Sequence, residues 1–75
     1  MVHWYAMKIL VSDGQEWDQK YKVFSGNTRR QAEARARTWA KESGLEILGT
    51  TIYSFDSEDG ANWQCQEWEE KDKEQ

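Results

Sequence analysis

Apolar and polar positions along the chain change period several times, and each change marks an element. Trp4 to Val11 and Trp17 to Phe24 are rich in aromatic and β-branched residues, and a polar stretch containing Asp13-Gly14 separates them, so they read as a hairpin. Ala32, Ala36, Trp39 and Ala40 then fall at i, i+4, i+7 and i+8, one face of a 3.6-residue period. The helix they define spans about Thr28 to Ser43. Thr28 and Gln31 have the spacing of a capping box at its start, and Gly44 can close its end in the left-handed conformation, with Leu45 folding back near Ala40. Ile47 to Phe55 reads as a third strand. Ser57-Glu58-Asp59-Gly60 reads as a turn into a weaker fourth strand, Ala61 to about Trp68, because Trp63 and Cys65 alternate with Gln64 and Gln66.

These elements predict an α+β fold: a single ββαββ domain over residues 1–68, with a four-stranded, mainly antiparallel sheet and one helix packed on one face. Two hairpins joined by a helix resemble the β-grasp arrangement in element order. Residues 69–75 contain no apolar side chain and are expected to form a frayed, solvated tail.

The register of the first hairpin decides which side chains share a face. A two-residue turn at Asp13-Gly14 pairs Ser12 with Gln15 and groups Trp4, Ala6, Leu10, Trp17, Tyr21 and Val23, leaving Tyr5, Met7, Ile9 and Val11 opposite, beside Lys20 and Lys22. An odd-length loop pairs Val11 with Trp17 and groups Tyr5, Met7, Ile9, Val11, Trp17, Tyr21 and Val23. The odd loop is preferred for a sheet covered on one face, because it buries neither Lys8 nor Gln19.

Composition narrows the chemistry. With one cysteine, Cys65, and one histidine, His3, the 75-residue chain has neither an internal disulfide nor a zinc site to supplement a small core. His3 reads as a surface residue and Cys65 as a small buried hydrophobe. No glycine-rich phosphate loop is present, since the five glycines are scattered singly. Asp56, Glu58 and Asp59 lack the length and spacing of a calcium loop. The expectation is a protein that is not an enzyme and carries no catalytic, cofactor-binding or metal site. No run approaches the roughly 20 apolar residues that cross a bilayer, and Met1 to Tyr5 lacks a leader pattern. A cytoplasmic protein with no membrane partner is expected.

The net charge of -4 is unevenly spread. Residues 28–43 set Arg29, Arg30, Arg35, Arg37 and Lys41 against Glu33 and Glu42, a surplus of three positive charges, whereas residues 56–75 carry a surplus of six negative ones. Arg30, Arg37 and Lys41 form an exposed basic ridge that can meet phosphates, which gives one functional reading, a nucleic-acid-binding domain. The acidic C-terminal segment gives another, a nucleic-acid mimic.

The leading expectation comes from the rings. Five tryptophans, three tyrosines and two phenylalanines are more than one helix on one sheet can hide. Tryptophan and tyrosine dominate binding hot spots. Trp4, Tyr5, Trp63 and Trp68 are therefore expected to anchor a protein partner, which includes another copy of the chain. By size and composition, the protein is similar to small phage-encoded inhibitors of host systems, which implies an inhibitor or adaptor.

Overall fold

The computed structural model describes residues 1–73. The class is α+β, with strands β1 (His3–Ser12), β2 (Trp17–Gly26) and β3 (Glu46–Phe55) and helices α1 (Arg29–Glu42) and α2 (Glu58–Lys73). The order is ββαβα. The sheet is three-stranded and antiparallel in the order β2-β1-β3, so β2 and β3 run parallel on either side of β1.

Two helices, one on each face, explain the sequence of β1. Its odd-numbered residues Tyr5, Met7, Ile9 and Val11 form a core with Ala32 and Ala36 of α1, joined at the edges by Phe24, Trp39, Leu45, Ile47 and Ile52. Its even-numbered side carries Ala6, which packs with Ala61 and Cys65 of α2 and with Trp4, Tyr21, Val23, Phe55 and Trp68 around them. A strand covered on both faces must be apolar at consecutive positions, and from Trp4 to Val11 only Lys8 breaks that run.

The N-terminus of α1 is closed by Thr28, whose side chain accepts from the Gln31 amide at 3.2 Å, while the Gln31 side chain accepts from the Asn27 amide at 2.7 Å. At the other end Gly44, at φ 71°, lets the Leu45 amide reach the Ala40 carbonyl at 2.8 Å and the Gly44 amide reach that of Lys41 at 3.2 Å. Both orphaned carbonyls are thereby satisfied. The helix forms where its period and caps place it, with Ala32, Ala36 and Ala40 buried.

Three expectations are corrected. The fourth strand is instead α2. Ser57 caps it, its Oγ accepting from the Gly60 amide at 3.1 Å, and Glu58 and Asp59 lie in the first turn, where the helix dipole favours acids. Ala61, Cys65, Trp68 and Asp72 recur at helical spacing and face the sheet, and this pattern outweighs the short alternation of Trp63 and Cys65 with glutamines. The β-grasp order is lost with that strand. Residues 69–73, read as tail, are the last turns of α2, held by Glu67–Lys71 and Glu69–Lys73 pairs at 3.0 and 3.9 Å and by Asp72 on Lys8. Residues 74–75 of the expected tail lie outside the described residues.

The third correction is the hairpin register. Ser12 pairs with Trp17 and Met7 with Lys22, so the loop Asp13–Glu16 has four residues and an even parity. The preferred odd loop fails because its premise, a sheet covered on one face only, does not hold. Lys8 does lie on the second face, and its Nζ meets Asp72 at 3.1 Å.

Candidate protein-binding edge

The two edges of the sheet differ. β2 carries Asp18, Lys20 and Lys22 along one side, with Lys20 and Asp18 paired at 3.0 Å and the Lys22 ammonium 5.1 Å from the centre of the Trp39 ring. The ring of Phe24 lies 6.4 Å from that of Trp39. α1 and these charges thus shelter the β2 flank, and charged side chains along an edge strand discourage pairing with a further strand.

β3 has no such protection. From Ile47 to Phe55 it contains no charged residue, most of its side chains are exposed, and among the described residues it pairs with β1 alone. Its free row of amides and carbonyls is an open template for another strand. On the α1 side a groove of about 250 Å³ runs beside it, with Ala36, Ile47 and Ile52 as floor and Glu33 and Arg37 on its rim. A second depression continues from Arg37 past Lys41 to Ile47. On the α2 side, Tyr53 stands half-exposed at 50 %, its ring 5.2 Å from that of Trp68. Beyond the end of α2, Gly49 and Leu10 lie in a shallow hollow of about 300 Å³ with Lys8, Gln19, Thr50 and Thr51. A bulge between Leu10 and Val11 of the β1 ladder leaves Leu48 unpaired and 43 % exposed.

The residues expected to anchor a partner are dispersed. Tyr5, at 6 % exposure, belongs to the core under α1 and is unavailable for contact. Trp4 and Trp68 are half-buried against the α2 cluster, where they hold the helix to the sheet. Trp63 is 61 % exposed, since its position two residues from both Ala61 and Cys65 turns it away from the sheet. Trp17, 73 % exposed at the start of β2, and Tyr53, half-exposed beside Trp68, are rings open to contact that were not among the expected anchors. For Trp17 a signal was present in its place beside the polar stretch Asp13 to Glu16, whereas Tyr53 is exposed through strand order, which the sequence pattern does not carry.

Arg30, Arg37 and Lys41 are all exposed, and none belongs to an ion pair among the described residues, whereas Arg29 is tied to Glu33 at 2.9 Å. Arg37 and Lys41 also border the β3 groove, so the ridge and the edge share a boundary.

Two polar clusters complete the surface. Tyr21 donates to the carboxylate of Asp72, which also accepts from Lys8 Nζ at 3.2 Å. The Tyr21 hydrogen bond, followed by that from Lys8, holds the Asp72 carboxyl below its usual range, while burial, followed by the carboxylate, pushes the Tyr21 phenol up. At the hairpin tip Asp13 accepts from the amides of Gln15 and Glu16, both at 2.8 Å, and the Glu16 amide leads in lowering its pKa. Among the described residues no group of three or more histidine, cysteine or acidic side chains is placed to hold a metal, and no helix is long and apolar enough to cross a membrane.

Neither a protein-family model, nor a curated protein, nor a solved structure matches this chain.

Proposed function

We propose that the protein is a non-enzymatic protein-binding module, an adaptor or inhibitor that docks partners by strand addition on the outer edge of β3. The observation that carries this reading is the contrast between edges: nine consecutive uncharged residues on β3, against three charged ones among the ten of β2. Main-chain hydrogen bonds would supply affinity, and alternate side chains of the added strand would enter the α1 groove or meet the Tyr53–Trp68 pair.

The test places a lysine on the edge, as natural sheets do to block pairing. Thr50 is exposed, so Thr50→Lys leaves the core intact. Capture from a cell lysate should yield a partner retained by the wild type and by Trp63→Ala but lost by Thr50→Lys. A partner held equally by Thr50→Lys overturns the edge reading, and one lost only with Trp63→Ala moves the contact to the outer face of α2.

A second reading, nucleic-acid binding along Arg30, Arg37 and Lys41, is favoured by the exposure of all three and their freedom from ion pairs among the described residues. Its test is a salt-dependent mobility shift that vanishes when all three become glutamate. No shift at low salt removes it.

A further inference from the structure

We infer that the strand received by β3 is β3 of a second copy of this chain, joined antiparallel about a two-fold axis through Thr51. The inference rests on the strand-addition reading and names its occupant.

A two-fold axis that merges two antiparallel edges into one sheet stands perpendicular to that sheet. Each face is then continued by the same face of the other copy, so a residue pairs only with one on its own side. On β3 the side shared with α2 carries Gly49, Thr51 and Tyr53, opposite Leu10, Lys8 and Ala6 of β1, and the other carries Thr50 and Ile52, opposite Ile9 and Met7. An axis through Thr51 pairs Tyr53 of one copy with Gly49 of the other, Ile52 with Thr50, and Thr51 with itself.

That pairing sets a protrusion against a vacancy. Tyr53 is half-exposed, and a Cβ built on Gly49 would meet nothing within 4 Å among the described residues, where Gly49 lines the hollow beyond the end of α2. An aromatic ring laid across a cross-strand glycine covers backbone that would otherwise stay wet, and paired threonines are favourable opposite each other. Other axes fit less well. Through Ile52, the ring over Gly49 would be Phe55, which is already committed to the α2 cluster. Through Thr50, Tyr53 would meet Ile47 across the bulge, and the two face opposite sides. With the axis on Thr51, the charged Glu46 and Asp56 stay outside the paired block.

The contact is small, well under the roughly 800 Å² per partner of a stable interface, so the dimer is weak, with a dissociation constant on the order of 100 µM. Each copy carries a net charge of -4, so added salt should tighten the association by screening repulsion.

Sedimentation of the full chain from about 10 µM to about 1 mM, with far-UV circular dichroism on every variant, tests the inference. The wild type should shift with concentration from 8.9 kDa toward twice that mass. Thr51→Lys and Thr51→Glu should each stay monomeric, because like charges would meet on the axis, and an equimolar mixture of the two should recover the dimer. Gly49→Val sets a branched side chain where the Tyr53 ring of the other copy would lie and should weaken the dimer at least tenfold. A wild type that stays monomeric throughout overturns the second-copy inference and leaves strand addition to its own test. A dimer that no edge variant weakens is built on another surface and likewise overturns the second-copy inference, and a mixture that fails to recover moves the axis off Thr51.

Discussion

Trp68 and Trp63 lie five residues apart on α2, and replacing each with alanine should have very unequal consequences for stability. A fully buried tryptophan costs about 3–5 kcal/mol on truncation to alanine. Trp68 is half-buried against the cluster of Ala6, Ala61 and Cys65, so about 2 kcal/mol of that applies. Its tilted contact with Tyr53 at 5.2 Å adds up to about 1 kcal/mol. The sum, about 2–3 kcal/mol, is a large part of the roughly 4–11 kcal/mol available to a domain of this length. It should lower the melting temperature by about 10–20 °C. Trp63, mostly exposed, should cost less than about 0.5 kcal/mol. Urea unfolding followed by circular dichroism gives both values. If the two losses are equal, or if Trp68→Ala is silent, α2 is not docked through Trp68 and the second layer of the fold is wrong.

Further expectations follow from other contacts. Gly26→Ala should cost about 1–3 kcal/mol in the same assay, because a methyl there would stand 3.1 Å from the Thr28 carbonyl and the Ala32 amide, which belong to the helix start and cannot yield. The carboxyl of Asp72 is held below its unfolded value, so its contribution is present above the unfolded pKa and is lost as pH falls through the folded one. Acid should therefore loosen the end of α2, and Asp72→Asn should flatten that part of the pH profile. The Tyr21 phenol is raised, so its contribution is present below about pH 10 and is lost on further rise, visible as delayed phenolate absorbance that Tyr21→Phe abolishes. Cys65 is buried, its Sγ 3.5 Å from the Lys22 carbonyl, and burial raises its thiol pKa; alkylation should be slow until urea unfolds the chain.

Much of the fold was legible because local signals agreed. The capping residues Thr28 and Gln31, the closing Gly44 and the alanine face of α1 all specify one helix, and the observed ends differ from the expected ones by a residue. The three strands were legible by composition. α2 was hidden because Trp63-Gln64-Cys65-Gln66 alternates like a strand, although Ala61, Cys65, Trp68 and Asp72 carry the longer helical period. That single misreading propagated. With one face of the sheet left bare, the true register looked too apolar on its second side, and Lys8 looked stranded because its partner Asp72 had been assigned to a tail.

The site was legible in part for the same reason. A surplus of rings beyond one helix's capacity pointed to partner contacts, yet α2 half-covers two of those rings, Trp4 and Trp68, and Tyr5 belongs to the core of the opposite face. The exposed edge is a property of strand order, which places β1 between β2 and β3. Strand order depends on how the β2-α1-β3 crossover passes over β1, and no residue pattern along the chain encodes it directly. The uncharged run Ile47 to Phe55 was visible throughout; only its position at an edge gives it meaning.

The most direct measurement is hydrogen exchange of the β3 amides, read residue by residue at about 10 µM and about 1 mM. At the lower concentration alternate amides from Gly49 to Tyr53 should be protected, those bonded to β1, while the intervening ones exchange freely; at the higher concentration the free set should slow. Uniform protection in the dilute monomer would mean that the outer edge is already occupied, and a free set indifferent to concentration would mean that β3 receives no second copy.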